Sequence, residues 1–487
     1  MSSEIRTLEP KALWNKFADL NAIPRPSKKE ERVIKFMKDF GERLGLETIE
    51  DEVGNVIIRK PATKGMEDRK PIVMQSHLDM VHQKNNDTVF DFDTQGIEMY
   101  IDGDWVKARG TTLGADNGLG VATIMAILES DAIAHPDLEA LFTIDEETGM
   151  TGAMGLKGGL LKGEILLNLD TEEDNEIGVG CAGGIDITAR GAYNPEPISI
   201  EGMKAYKIEV KGLQGGHSGM QIHEGLGNAN KIMNRLLYAV IEDIKIAEID
   251  GGSLRNAIPR ESVSVVVFRA DKEELLLNVL NSLSKTIKKE LKTMEPDLEM
   301  VFTATDLPKT VMPFEAQEHI LKALYAAHNG VYRMSPDIPD LVETSNNIAR
   351  VVIKDGGIKV GCLTRSSVES SKMDLANALK STFELAGCDV EFSGSYPGWA
   401  PNMDSAILKV MVPIYERLNN GEKPHVAACH AGLECGILGQ NYPDMDMISF
   451  GPNIKGAHSP DERAQISSAQ KYWEFVLEIL EHIPQKN

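Results

Sequence analysis

Short apolar runs alternate with segments of helical spacing through the first part of the chain. Asn55–Arg59, Pro71–Gln75, Leu138–Ile144 and Glu164–Leu169 have the length and bounding residues of buried strands. Among them, Ser27-Lys-Lys-Glu30 predicts a capping box that opens an amphipathic helix to about Leu44. Asn117–Ser130 predicts a second helix behind Gly114-Ala-Asp116. Strands that alternate with helices predict a largely parallel sheet covered on both faces.

The pattern changes after about Gly191. Strand signals at Lys204–Lys211, Ser262–Arg269, Leu298–Thr303, Val342–Leu363 and Asp389–Phe392 now alternate with helices at Gly225–Ile241, Lys272–Lys292, Glu315–Ala327 and Lys372–Leu385. Gly394-Ser-Tyr-Pro-Gly398 reads as a turn-rich linker. Helix Ser405–Leu418, strand Met447–Phe450 and helix Ala464–His482 then resume the first pattern. The economical reading is an α/β domain, a mostly parallel mixed sheet flanked by helices, built from residues 1–191 and 397–487. An α+β lid domain over residues 192–396, of two similar units, is inserted into it. The cleft between two such domains is the default place for a site.

Composition narrows the function. The chain has 487 residues with 51 basic and 74 acidic side chains, a formal charge of -23. That balance argues against nucleic acid or an anionic membrane surface as partner. The first ten residues lack the apolar core of a signal peptide, and no apolar run reaches the length of a membrane span. Cys181, Cys362, Cys388, Cys429 and Cys435 are scattered, with no CxxC pair, which fits reduced thiols and a cytoplasmic location.

Candidate chemistry concentrates in five short segments: Ser76-His77-Leu-Asp79, Gly114-Ala-Asp116-Asn117-Gly118, Asp145-Glu146-Glu147-Thr-Gly149, Leu167-Asn-Leu-Asp170-Thr171 and Gly456-Ala-His458-Ser-Pro460. Four of them follow a predicted strand, where open α/β sheets place their sites. Adjacent carboxylates at a strand end repel one another, and a cation offsets them. Neighbours on an extended chain also point in different directions, so Glu146 and Glu147 can take different roles. Imidazole and carboxylate suit zinc, with manganese or cobalt as substitutes. Asp116, Glu147 and Asp170 with neutral His77 and His458 carry three negative charges; two divalent ions and one bridging hydroxide bring the sum to zero. Each segment has a plainer reading. Asp116 is a helix N-cap, Asp170 a turn residue, the Glu pair solvated surface, and His458 a loop residue. His425 and His430 read as loop or core residues rather than ligands.

HLDM at 77–80, GADNG at 114–118, DEETGMTGA at 145–153, LNLD at 167–170, GGHSG at 215–219 and GAHSPDE at 456–462 together resemble the dinuclear-zinc amidohydrolases. That family includes aminoacylases, carnosinases, carboxypeptidase G and tripeptidase T. NLDTEE followed by GCAGG at 180–184, and HAGLECG at 430–436, resemble its Xaa-His dipeptidase branch rather than the aminoacylases. The resemblance implies a zinc-peptidase-like sheet and a cytosolic metallo-dipeptidase cleaving Xaa-His and carnosine-like substrates with two divalent ions, most simply zinc. It implies that Asp116 bridges the ions, His77 and Asp170 complete one site, and Glu147 and His458 complete the other. Asp79 orients His77, and Glu146 is the general base and acid toward a metal-bridging hydroxide. His217 polarises the tetrahedral intermediate from the lid, in its own chain or in that of a second copy in a homodimer. Asn256 and Arg365 resemble substrate and carboxylate contacts, and Glu434 a substrate-binding loop. A tripeptidase or an N-acyl amino acid deacylase of the same family is the alternative, and a non-catalytic metal-binding scaffold a remote one.

Overall fold

The computed structural model describes residues 4–486. The chain divides into two compact units, Met1–Gly180 with Pro401–Ala428 and Leu433–Asn487, and Cys181–Ala400 with Cys429–Gly432.

The first unit is built on an eight-stranded sheet. Its strand order is Glu47–Glu50, Val56–Lys60, Leu138–Thr143, Ile72–His77, Ile165–Asn168, Asp446–Ser449, Glu176–Cys181, His425–Cys429. The four strands from Leu138–Thr143 to Asp446–Ser449 run parallel, and antiparallel pairings flank them. Every residue of Leu138–Thr143, Ile72–His77 and Ile165–Asn168 is buried. Side chains alternate between the faces of a strand, so both faces of this sheet are covered. The helix Ala115–Glu129 packs on strand Ile72–His77 and on helix Lys11–Leu20. It is buried at thirteen of its residues, which explains why its sequence shows no polar face.

The helix predicted from Ser27 starts later and without a capping box. It spans Glu31–Arg43, and no side chain caps it. Ser27 instead donates its hydroxyl to Asp79 Oδ2 at 2.8 Å, while Glu30 Oε1 accepts from the Lys28 backbone N–H at 2.8 Å. A buried carboxylate distant in sequence outcompetes the local cap for the hydroxyl. A small antiparallel sheet of Met99–Asp102, Trp105–Ala108, Arg463–Gln465 and Ile454–Lys455 has no counterpart in the predicted elements.

The inserted unit carries a nine-stranded sheet. Its main path runs Glu299–Thr305, Met203–Lys211, Ser262–Arg269, Lys245–Gly252, Val342–Lys354, Gly357–Ser366, Gly183–Ala192, Asp389–Tyr396. All of these neighbours pair antiparallel. Helices Ala229–Ala239, Glu273–Glu290, Phe314–Ala326 and Glu369–Leu385 share one apolar core with this sheet, centred on residues such as Leu236, Leu280, Leu321, Phe268 and Phe383. The segment expected as a linker at 394–398 is in part strand: Asp389–Tyr396 continues as far as a pairing of Tyr396 with Gly184.

Candidate metal centre

Three neighbouring parallel strands end at one edge of the first sheet, and each delivers polar groups there. His77 is the last residue of its strand, Asp145-Glu146-Glu147 follows Thr143, and Asp170 follows Asn168 by two residues. The carboxyl edge of parallel strands is where backbone geometry leaves a crevice for ligands. Asp116 and His458 join from loops. Asp116 lies in the first turn of helix Ala115–Glu129 with non-helical backbone angles, so its side chain serves no cap. The Asp116–Asn117 peptide is cis.

Asp116 stands between two imidazoles. Its Oδ1 lies 3.2 Å from His77 Nε2 and its Oδ2 lies 3.2 Å from His458 Nε2. Asp170 Oδ1 is 3.5 Å from the same His77 nitrogen, and Glu147 Oε2 is 3.0 Å from the same His458 nitrogen. Two donor triads result, His77/Asp116/Asp170 and Asp116/Glu147/His458, and Asp116 belongs to both. His77, Glu146 and Glu147 form a third overlapping group. Asn117 Nδ2 braces this arrangement, donating to the Leu169 carbonyl at 2.8 Å and to Asp170 Oδ1.

Asp79 sits behind the histidine and is fully buried. Its Oδ1 accepts from the Glu146 backbone N–H at 3.0 Å and lies 3.4 Å from His77 Nδ1. Its Oδ2 accepts from Ser27 Oγ at 2.8 Å and from the Glu147 N–H at 3.3 Å. The nearer partner of His77 Nδ1 is the Asp79 backbone carbonyl at 3.1 Å, so Asp79 orients the ring through its carbonyl with the carboxylate beside it, and orients the backbone of both glutamates through the carboxylate.

Electrostatics match a site made for cations. Burial alone would lower the His77 imidazole, but Asp170, Asp116 and Asp79 hold it well above its ordinary value. Hydrogen bonds to Asp116 and Glu147 push His458 up to about 11. Burial would raise Asp116, yet His458 and His77 hold it below the usual carboxylate range. Protons on the imidazoles therefore occupy the places where cations would offset the same carboxylates. Glu147 Oε1 is buried and has no partner, a lone pair held ready for a ligand. The donor set fits two divalent cations, with imidazole and carboxylate oxygen for each.

Glu146 differs from Glu147. Burial pushes its carboxyl well above its ordinary value, and Asp170, Glu434 and Glu147 add to the effect against His77. Glu434 opens the helix Glu434–Asn441 and is fully buried. Its Oε2 accepts from Gln75 Nε2 and from Thr143 Oγ1, both at 2.6 Å, and burial pushes the carboxyl up to about 7. These contacts make Glu434 a partner of the strands Ile72–His77 and Leu138–Thr143 that carry the ligands forward.

The remaining sequence-predicted residues belong to the inserted unit. His217 Nδ1 accepts from the backbone N–H of Gly219 at 3.2 Å and Met220 at 3.0 Å, which leaves the proton on Nε2. Burial, then the charge of Arg365, lowers this imidazole to about 4. Arg365 is buried and donates to Tyr396 Oη at 2.8 Å; its Nε has no partner. A methyl group on Gly219 would meet both, at 3.1 Å from His217 Cε1 and 3.2 Å from Arg365 Cδ, so the two side chains are neighbours. Asn256 is exposed, and its carbonyl accepts from the Ser218 N–H at 2.8 Å. His430 is a buried core residue bonded to Ser345 Oγ at 2.8 Å, and His425 is exposed.

Sequence reasoning missed three residues at the metal centre. Arg25 is buried and donates to the Leu78 and Asp79 carbonyls, each at 3.0 Å. Glu172 lies two residues beyond Asp170, and burial followed by the charges of Asp116 and Asp170 pushes it up to about 8. Glu462 closes the GAHSPDE segment and bonds the Asp116 loop. Only Glu462 and Glu172 lay within quoted motifs; Arg25, between two prolines, carried no signal.

The sequence and the fold match those of known proteins. The family described as Peptidase family M20/M25/M40 matches residues 73–482. The chain is 44% identical to the cytosol non-specific dipeptidase of Escherichia coli strain K12, over 99% of this chain and 100% of that protein. The solved aminoacylhistidine dipeptidase of Vibrio alginolyticus matches with TM-score 0.94 at 44% identity, over 100% of this chain and 99% of that one. The aminopeptidase PepT of Bacillus cereus, at 17% identity and TM-score 0.57 over 98% of this chain and 99% of that one, shares the fold. With a family match across most of its length and relatives of nearly half its sequence over the whole of it, the chain belongs to peptidase family M20/M25/M40.

Proposed function

We propose that this chain is a cytoplasmic metallo-dipeptidase that holds two zinc ions and cleaves Xaa-His and related dipeptides, carnosine-like ones included. The observation that carries the reading is the division of Asp116, one carboxylate oxygen toward His77 and the other toward His458. The names of the two relatives with 44% identity, a non-specific dipeptidase and an aminoacylhistidine dipeptidase, support the substrate class. His77, Asp116 and Asp170 would hold one ion, and Asp116, Glu147 and His458 the other. When bound, the ions supply Lewis acidity toward the scissile carbonyl and the attacking water.

The chain's own groups then divide the proton work. Glu146 takes the proton from the attacking water at its carboxylate as the new C–O bond forms. The same carboxyl returns that proton to the amine nitrogen as the C–N bond breaks. Burial raises its proton affinity, and the charge of two bound cations would oppose that shift, so the carboxylate can accept a proton and release it again. Asp79 keeps the Glu146 backbone in place through its N–H and fixes the His77 ring with its backbone carbonyl and the carboxylate beside it. His217 offers a neutral Nε2–H, the donor that a tetrahedral oxyanion needs. Arg365 offers a buried guanidinium for a terminal carboxylate, and such a contact selects short peptides.

The test is a panel of dipeptides, tripeptides and acyl amino acids assayed with zinc, manganese and cobalt. Dipeptides should be the preferred class, and a preference for tripeptides or acyl amino acids would overturn the substrate assignment. Glu146→Gln should lower kcat by roughly 10²- to 10⁴-fold while the bound ions remain at about two per chain. Loss of metal from that variant would show that the division of labour between Glu146 and Glu147 is wrong.

A further inference from the structure

Glu462 lies at the end of the segment that carries His458, and its carboxylate serves a different loop. It is 2% exposed. Oε2 accepts from the backbone N–H of Leu113 at 2.7 Å and Gly114 at 2.9 Å. Oε1 accepts from Ala115 at 2.7 Å and Asp116 at 3.2 Å. Four consecutive N–H groups converge on one carboxylate because Gly114 takes a left-handed conformation, φ +68°. Such a turn forms an anion-binding concavity of backbone donors. A side chain at Gly114 would also collide with Arg25 and with Met80 Sδ at 2.8 Å.

The loop is gripped from its other side as well. Arg25, 1% exposed, donates to the Gly114 carbonyl and to the carbonyls of Leu78 and Asp79. Glu462 takes the loop's donors and Arg25 its acceptor, and neither charge shares in the two donor triads. The Glu462 end is itself firm. Its N–H bonds the Ser459 carbonyl at 3.0 Å, and Ser459 Oγ bonds the Gly456 carbonyl at 2.7 Å. Between these contacts sits His458, with a left-handed φ of 64°. A single carboxylate therefore ties the turn that presents His458 to the loop that presents Asp116. The 3.2 Å interval between His458 Nε2 and Asp116 Oδ2 spans that tie.

We propose that Glu462 is a positioning residue that fixes His458 against Asp116 and so sets the affinity of the Asp116/Glu147/His458 cation site more strongly than that of the His77/Asp116/Asp170 site. The inference rests on the reading that both triads hold cations. The His77/Asp116/Asp170 site shares Asp116, but its other two groups, His77 and Asp170, sit on the sheet edge and keep their own brace through Asn117, so Glu462 bears on that site through one ligand and on the Asp116/Glu147/His458 site through two. Glu462→Gln turns one acceptor oxygen into a donor and sets it against two backbone N–H groups. Partners of this kind, one step removed from the ion, typically change affinity by about 10- to 100-fold.

The experiment titrates the full-length chain, stripped by chelator, with Zn²⁺ and with Mn²⁺ by calorimetry, for wild type, Glu462→Gln and Glu462→Asp. For Glu462→Gln one association constant should fall by about 10- to 100-fold and the other by a clearly smaller factor, because only one of the two sites draws both Asp116 and His458 from the segments that Glu462 joins. Glu462→Asp keeps the charge and should recover part of the loss; it carries the test if the glutamine variant does not fold. Two unchanged constants, or two that fall by the same factor, would overturn the inference, the second pointing to a merely structural role. A wild-type chain that takes up fewer than two ions would instead refute the two-ion reading, and this inference with it.

Discussion

Replacing Asp79 by asparagine tests how one buried carboxylate organises the centre. Asp79 receives the Ser27 hydroxyl at 2.8 Å, the Glu146 and Glu147 N–H groups at 3.0 and 3.3 Å, and faces His77 Nδ1 at 3.4 Å. Burial would raise this carboxyl, but His77, Ser27 and the Glu146 N–H hold it below its ordinary value of 3.8. Asparagine has one acceptor oxygen, so its NH₂ must face two former donors. The less costly orientation turns the NH₂ toward Ser27, whose hydroxyl rotates to accept, and leaves the Glu147 N–H unsatisfied. One lost bond to a charged acceptor is worth about 1.5–3 kcal/mol, and a stranded buried donor costs about 1–3 kcal/mol. The terms overlap, since both count the same N–H, so Asp79→Asn should destabilise the metal-free chain by about 2–4 kcal/mol. A group with a depressed folded pKa stabilises above its unfolded value and loses that effect as pH falls through the folded one. The deficit is thus complete at neutral pH and narrows only in acid below about 3.8. Urea unfolding of chelator-treated protein at pH 7 and at lower pH measures it. Metal affinity should fall by about 10- to 100-fold, because the Glu147 backbone loses its anchor and His77 loses the carboxylate charge beside its ring, while its Nδ1 keeps the residue 79 backbone carbonyl at 3.1 Å. An unchanged urea midpoint together with unchanged metal affinity would refute the reasoning.

Two other substitutions probe packing and charge beneath the ligands. In Gly120→Ala the new methyl meets Asn117 Oδ1, Ser76 Oγ and, at 2.8 Å, the Leu169 carbonyl. Overpacking of this kind costs about 1–3 kcal/mol. Because Asn117 braces Asp170, both the melting temperature and the metal affinity should drop, and a wild-type value for either would count against the brace. Glu434→Gln removes a carboxyl that burial pushes from 4.5 to about 7. Wild type binds more protons folded than unfolded between those values, so it loses stability relative to the variant as pH rises through that window. In metal-free protein the variant should gain on wild type by up to roughly 3 kcal/mol from pH 4 to pH 8, and parallel urea midpoints across that range would reject the shift.

Much of the architecture is local information. Ile72–His77, Leu138–Thr143 and Ile165–Asn168 are continuous apolar runs because both faces of their sheet are covered, and such runs are read directly from the chain. The polar residues that end them mark the carboxyl edge of a parallel sheet, and the motif order around them points to the family that the chain matches. Less was legible where local and distant partners compete. Strands Glu176–Cys181 and Gly183–Ala192 contain several glycines, and Met99–Asp102 and Trp105–Ala108 are four residues each, too short for a period to declare itself.

By itself, then, the sequence determined which residue types stand at the strand ends, and hence the chemistry available to the site. The tertiary structure decided their roles. Ser27 caps no helix because Asp79, 52 residues away, takes its hydroxyl. Asp116 is divided between His77 and His458, which lie 39 and 342 residues from it. Glu462 acts on the backbone of a loop 349 residues away and Arg25 on three distant backbone carbonyls, so nothing in the residues beside them announces those contacts. Hydrogen bonds and ion pairs are set by distance in space, and that distance exists only after the sheet has brought the loops together.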